Sequence, residues 1–242
     1  MKIYSIYGLM VFIIIFIILL PLFLLAIFIK PFEKIAATLN HIWAKSFFFF
    51  MFLNKTEVLY EEKLDKKQTY IFCANHASFL DIPTVGLVNH NFKFIGKSSL
   101  KKVPLWGYMY GKIHILVNRD SIKSKYASLQ KVREALNQGF SIVFFPEGGI
   151  VSEKFPQMGR LKEGSFRLAV EENIPIVPIT IPFNHKILPD EMPLNMKVGK
   201  VAIKVHKPIY PGNNSEEAVA ALREKVTRIM QRELNKENNV PS

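Results

Sequence analysis

Cysteine is almost absent: Cys73 stands alone in 242 residues. That excludes an intramolecular disulfide, a cysteine-rich zinc cluster and a c-type haem site, and it agrees weakly with a reducing compartment. The histidines other than His76 (His41, His90, His114, His185 and His206) show no paired-ligand spacing, so no metal is expected. Acidic residues are the minority charge, 20 against 32 Lys and Arg, for a formal net charge of +12. A basic chain suits an anionic lipid surface, a phosphorylated ligand or nucleic acid. No helix-turn-helix, zinc-finger or RNA-binding signature is present, so nucleic acid is not expected as a partner. Internal repeats are missing too. Disorder is excluded by 49% hydrophobic and 21% charged residues.

What is present is unevenly spread. Ile3 to Ile29 is a run of 27 residues without charge, flanked by Lys2 and Lys30. As a helix it is about 40 Å long, against a hydrocarbon core of about 30 Å. Pro21 inside it is expected to kink or break the helix, and Pro31 marks a second break. A shorter apolar stretch follows, Ile42-Trp43 and then Phe47 to Leu53. A cleaved signal peptide is disfavoured, because the apolar core is about twice too long and no A-x-A site follows. Two readings remain: one spanning helix, or a monotopic pair of helices, one to about Lys30 and one from about Phe32 to Leu53. In either, residues 1–54 form a hydrophobic helical membrane anchor and 55–242 a separate domain. If the first helix spans, Lys30, Lys34 and Lys45 outnumber Lys2, which places that domain on the cytoplasmic face of the membrane.

From about Asn54 short β-rich runs alternate with helical stripes. Candidate strands are 70–74, 92–95, 113–117, 141–145, 176–180 and 201–205. Tyr126, Leu129, Val132 and Leu136 recur at helical spacing and stop at Gly139. Phe166, Ala169 and Val170 form a second stripe, and Val219 to Leu234 a third with Ser215 as N-cap. The expectation is an α/β fold, a layered mixed sheet flanked by helices.

In such sheets ligands gather where strands end. Asn75-His76 to Asp81 follows the first strand. An imidazole titrates near neutral pH, and a carboxylate on its other nitrogen fixes the tautomer and stabilises the imidazolium. Five residues do not share one helix face, so the pair needs His76 in a turn and Asp81 inside the next helix. The plainer reading is a satisfied polar pair. Gly96-Lys97 and Arg119 supply cations at later strand ends, suited to phosphate and equally to a basic surface. Trp106, Tyr108, Met109 and Tyr110 suit either a lipid groove or a core. Phe145-Pro146-Glu147-Gly148-Gly149 puts a carboxylate and flexible backbone at another strand end, for an acceptor hydroxyl or an oxyanion, or simply as a capped turn. Lys162 adds a further positive charge. Cys73, three residues before His76, reads as buried and inert rather than as a nucleophile.

Taken in order, these blocks resemble the PlsC-type glycerophospholipid acyltransferases, typified by 1-acylglycerol-3-phosphate acyltransferase. The N-H-x-x-x-x-D motif is Asn75-His76 to Asp81; the G-K-x-x-L-x-x-x-P block is Gly96-Lys97, Leu100 and Pro104, with Arg119 beyond it. F-P-E-G is Phe145 to Gly148, G-[AS]-F-R-L-A is Gly164 to Ala169, and V-P-[IV] is Val177 to Ile179. The resemblance covers about residues 60–210. It implies that His76, oriented by Asp81, deprotonates a lysolipid hydroxyl that attacks acyl-CoA or acyl-carrier protein, with no covalent acyl-enzyme and no cofactor. It also implies that Lys97, Arg119 and Lys162 hold the acceptor phosphate, and that Glu147 and Gly148 fix the acceptor. The product would be phosphatidic acid, made at the bilayer. One departure stands out: where the family commonly continues F-P-E-G-T-R, this chain has Gly149-Ile150, so the usual Arg is Ile150. A lyso-aminolipid such as lyso-ornithine lipid is the alternative acceptor, and a thioesterase or lipid hydrolase the alternative activity.

Overall fold

The computed structural model describes residues 3–29, 34–52, 56–118, 121–151, 154–191 and 193–239. Two helices come first, α1 (Ile3–Phe28) and α2 (Ile35–Phe52). Pro21 lies inside α1, and the helix does not break there. The loss of one backbone hydrogen bond is outweighed because the turns on both sides are held: Ile15, Phe23 and Ala26 are buried, Ile15 in one core cluster and Phe23 with Ala26 in another, each shared with α2.

Seven strands follow: β1 (Thr56–Tyr60), β2 (Ile71–Ala74), β3 (Phe92–Lys97), β4 (Ile115–Val117), β5 (Ser141–Phe144), β6 (Ile176–Thr180) and β7 (Val201–Val205). They form one sheet in the order β1-β7-β6-β2-β5-β3-β4. All neighbours run parallel except β6 and β7, so the sheet is mixed. The helices between them are α3 (Asp81–Val85), α4 (Trp106–Ile113), α5 (Ile122–Asn137), α6 (Gly164–Glu171), α7 (Asn184–Ile187) and α8 (Glu216–Glu237). A 3-10 turn, Ser98–Lys102, precedes α4.

Alternation along each strand builds two cores. On one face Ile71, Cys73 and Ile142 meet Val132, Phe166 and Val226. On the other Phe72, Ala74 and Val143 meet Val85, Phe94 and Tyr110. Burial on both faces is why the central strands read as continuous apolar runs. A third cluster joins the helical pair to this body: Ala44, Phe47, Phe48 and Met51 pack with Leu80, Leu87 and Val201. The outer side of α1 stays bare, with Ile14, Ile17 and Ile18 more than half exposed. This helix is long and apolar enough to cross a membrane by length and composition.

Candidate active site

Strands β2 and β5 are parallel neighbours, so their C-terminal ends emerge side by side. The loop after β2 carries His76, and the turn after β5 carries Glu147. His76 Nδ1 lies 3.0 Å from Asp81 Oδ2, with His76 in the turn and Asp81 opening α3. A carboxylate accepts, so Nδ1 donates its proton to Asp81, and in the neutral ring Nε2 is the nitrogen that can receive one.

Asp81 is fully buried. A buried carboxylate persists only when its lone pairs are taken up. Here Oδ2 also accepts from the Ala77 and Ser78 backbone N–H groups at 2.7 and 2.8 Å, and Oδ1 accepts from Asn184 Nδ2 at 2.9 Å. Asn75 ties the same loop to β6, donating to Ile181 O at 3.0 Å and accepting from Ile181 N at 2.7 Å. Ser78 Oγ donates to Leu188 O at 2.7 Å. The imidazole stacks on Phe145, ring centroids 4.2 Å apart. Backbone, carboxylate and ring all fix where Nε2 points.

Glu147 takes a different position from the one the sequence suggests. Instead of facing an acceptor, its side chain is buried, 3% exposed, and both oxygens are occupied. Oε1 accepts from the His76 backbone N–H at 2.9 Å and Oε2 from the Gly159 N–H at 2.7 Å. Burial raises its pKa, opposed by those two N–H groups. Glu147 therefore splints the His76 loop to the 154–163 loop. The Gly148 amide is also engaged, donating to Phe145 O at 3.0 Å, so it is not a free oxyanion donor.

Gly148 has φ +88, and its missing side chain leaves room for Lys162. A Cβ there would sit 2.3 Å from Lys162 Nζ. The Lys162 ammonium thus rests on the Glu147-Gly148 turn, exposed to solvent, with no carboxylate partner among the described residues. Lys97 is exposed at the end of β3, at the same end of the sheet, and is not bonded to this group. Its register partner on β4 is Val117; Arg119 lies outside the described residues. Cys73 is buried, its thiol pushed up to about 12 by desolvation, which disqualifies it as a nucleophile. No His, Cys, Asp or Glu cluster among the described residues has the makings of a metal site.

Beside the pair lies an apolar cavity of about 270 Å³ between α1, α2, α3 and α4. Phe12, Phe16, Trp43, Phe79, Phe94 and Met109 are among its walls. Phe94 stacks on Phe145, and Phe145 on His76, so one run of rings leads from the cavity to the imidazole. The arrangement sets an imidazole–carboxylate pair, chemically able to move a proton, near an apolar slot that Phe79, Ile82 and Phe94 help to wall.

Comparison with known proteins shows the family. A family model described as Acyltransferase matches residues 55–182. The chain belongs to that acyltransferase family. A 1-acyl-sn-glycerol-3-phosphate acyltransferase of Chlamydomonas reinhardtii is 33% identical over 171 residues, 70% of this chain and 50% of that protein. A lyso-ornithine lipid O-acyltransferase of Pseudomonas aeruginosa is 28% identical over 127 residues, 51% of this chain and 47% of that protein. The chain spans about half the length of these relatives. The crystal structure of the 1-acyl-sn-glycerophosphate acyltransferase PlsC from Thermotoga maritima superposes with a TM-score of 0.75 at 23% identity, covering 99% of this chain and 100% of that one. That likeness shows that the two chains share one fold.

Asn184 and Gly159 were not legible as site residues. They lie 103 and 12 positions from the groups they bind, in segments without a motif. Asn75 was legible, as the first letter of the His-Asp block.

Proposed function

We propose that this protein moves a fatty acyl group from a thioester to the free hydroxyl of a lysolipid held in a bilayer. The observation that carries the reading is the His76–Asp81 pair, 3.0 Å apart at the strand ends and near an apolar cavity walled in part by Phe79 and Phe94. Nε2 takes the hydroxyl proton as the oxygen attacks the thioester carbonyl carbon. The C–O bond forms, the C–S bond breaks, and the leaving thiolate recovers the proton from the imidazolium. Asp81 stabilises that cation between the two steps. Glu147 acts through the backbone of His76 rather than on the substrate. No cofactor is required, and acyl-CoA and acyl-carrier protein both present the thioester this step needs. The cavity is offered to the acyl chain, and α1 to the membrane, with the catalytic body on the cytoplasmic side.

The acceptor we favour is 1-acyl-sn-glycerol-3-phosphate, giving phosphatidic acid. Lys162, Lys97 and Arg119 are assigned to its phosphate, with Lys162 lying on the turn that the family's missing Arg would share. Ile150 in that place keeps a lyso-aminolipid as the second reading. One labelled acyl donor offered with lysophosphatidate, glycerol-3-phosphate and a lyso-aminolipid decides among them. Label in phosphatidic acid is expected. Label only in free fatty acid, without acceptor, would make the protein a hydrolase.

A further inference from the structure

We propose that Lys97–Lys112 is a second membrane-docking element, a basic and apolar wedge that seats the mouth of the site on an anionic bilayer. It rests on the reading that α1 lies in a membrane, and it adds a contact that α1 does not make. From Ile82 to Arg119 the sequence has six Lys and Arg and no Asp or Glu, half of the formal net charge of +12. Lys97, Lys101, Lys102 and Lys112 are exposed, and none has a carboxylate partner among the described residues. Between them Val103, Leu105 and Tyr108 are 46%, 50% and 49% exposed. Apolar side chains ringed by lysine match the boundary between headgroups and acyl chains.

The backbone points the same way. Leu105 has φ +58 and ψ −59, the strained form of a γ-turn, closed by Trp106 N–H donating to Pro104 O at 2.6 Å. A β-carbon is disfavoured there, and the position is the N-cap of α4, where Ser or Asp would serve better. Leu105 makes no cap hydrogen bond; it is simply held out at the apex. The wedge is continuous with the bare face of α1: α1 and α4 pack together and wall the same cavity, and Phe79, 51% exposed, lies at that cavity close to His76. A bilayer touching α1 and Leu105 together would feed a lipid chain into that cavity without passing it through water.

A single-site fluorophore tests this on the full chain. Cys73 is buried with its thiol raised to about 12, so a maleimide dye placed at Leu105→Cys is selective; Ala221→Cys on the outer face of α8 is the control. In vesicles of phosphatidylcholine with about one-third phosphatidylglycerol, the dye at 105 should shift to the blue and be quenched by lipids spin-labelled near the headgroup, and the dye at 221 should not. The pair Lys101→Glu and Lys102→Glu should return the 105 dye to water-like emission and lower turnover of vesicle-embedded lysolipid about 10-fold or more, with turnover of a short-chain monomeric acceptor unchanged. A 105 dye that stays water-like on anionic vesicles while vesicle lysolipid is acylated at full rate overturns the wedge and leaves the acyl-transfer reading intact. A shift produced by an acidic acyl-carrier protein without vesicles, and not by vesicles, assigns the patch to a protein partner and also overturns it. Insertion without any acylation keeps the wedge and removes the activity instead.

Discussion

His76 and His114 stand at opposite ends of one run of aromatic rings, and they are prepared for opposite work. The run goes from His76 to Phe145 (4.2 Å between centroids), to Phe94 (6.5 Å), to His114 (5.3 Å). His76 has a carboxylate on Nδ1 and a free Nε2. His114 accepts a backbone N–H from Phe94 on Nδ1 at 3.3 Å, and its Nε2 lies 3.5 Å from the Asn40 amide, with no carboxylate in reach among its described partners. Burial, helped by Lys93, pushes its pKa down to about 3, so it stays neutral throughout the working range. The same side chain in the same kind of aromatic setting is paired with a buried carboxylate in one place and packed away from any described carboxylate in the other. Burial holds His114 neutral, and the carboxylate on Nδ1 sets His76 apart.

Breaking that contrast at His76 gives the largest effect. On the proposed role of His76 as general base, His76→Ala should reduce turnover by at least about 10³-fold. The melting temperature should barely move, since the loop is held by Asn75, Ser78 and Glu147 through atoms other than the imidazole. Steady-state kinetics beside thermal unfolding checks this, and retained turnover would remove the assignment of the base. Asp81→Asn comes next and makes His76 resemble His114. The amide oxygen still accepts from Ala77, Ser78 and His76. Its nitrogen meets Asn184, whose own Oδ1 is buried without a partner; turning that amide supplies an acceptor at the expense of the Asn184 Nδ2 to Thr84 Oγ1 bond. Stability should therefore fall by less than about 2 kcal/mol, while turnover falls about 10² to 10⁴-fold because the imidazolium has lost its counter-charge. Equal losses in both would mean that Asp81 is structural.

The two ends of this ring run were unequally legible beforehand. His76 and Asp81 sit five residues apart in a strand-end motif, so local geometry stated what their pairing required and the family resemblance supplied the expectation that they pair. His114 carried no such motif, and that burial would keep it neutral lies in what packs around its ring after folding. Glu147 shows the same limit. A carboxylate at a strand end was readable, but its inward turn depends on two N–H groups, at His76 and Gly159, that the fold brings to it. Central strands were readable because burial on both faces writes an unbroken apolar run. The edge strand β1 was missed, since Thr56–Tyr60 is only half-buried and its polar residues hide the pattern. Strand β4 came out shorter than 113–117 because α4 takes its first residue.

A smaller effect sharpens the contrast between the tightly bonded His76 loop and the open acceptor side. Lys162→Met should raise the KM for a phosphorylated acceptor about 10-fold, the worth of one charge-assisted contact, with kcat nearly unchanged. Gly148→Ala should do the same by another route, since its Cβ would occupy the place of the Lys162 ammonium and φ +88 disfavours any side chain. A kcat loss without a KM change in either variant would move Lys162 from acceptor binding to support of the turn.

The smallest effect on activity, and the most direct test of what burial does to an imidazole, is at His114. Its folded pKa of about 3 lies below the ordinary 6.5 because desolvation disfavours the cation. Between those values the unfolded chain holds the extra proton, so stability falls as the pH drops from about 6.5 toward 3. By pH 5 this one group should withdraw up to about 2 kcal/mol. His185, held down at about 4, adds to the same acid limb. His114→Gln keeps an acceptor for the Phe94 N–H and cannot titrate. It should lose some stability at pH 7 from imperfect packing, yet show a smaller drop between pH 7 and pH 5 than the parent, with turnover at pH 7 close to normal. Denaturant midpoints in one detergent at the two pH values measure this. An unchanged pH difference would mean that His114 is already solvated in the folded chain, and that the contrast with His76 rests on the missing carboxylate alone.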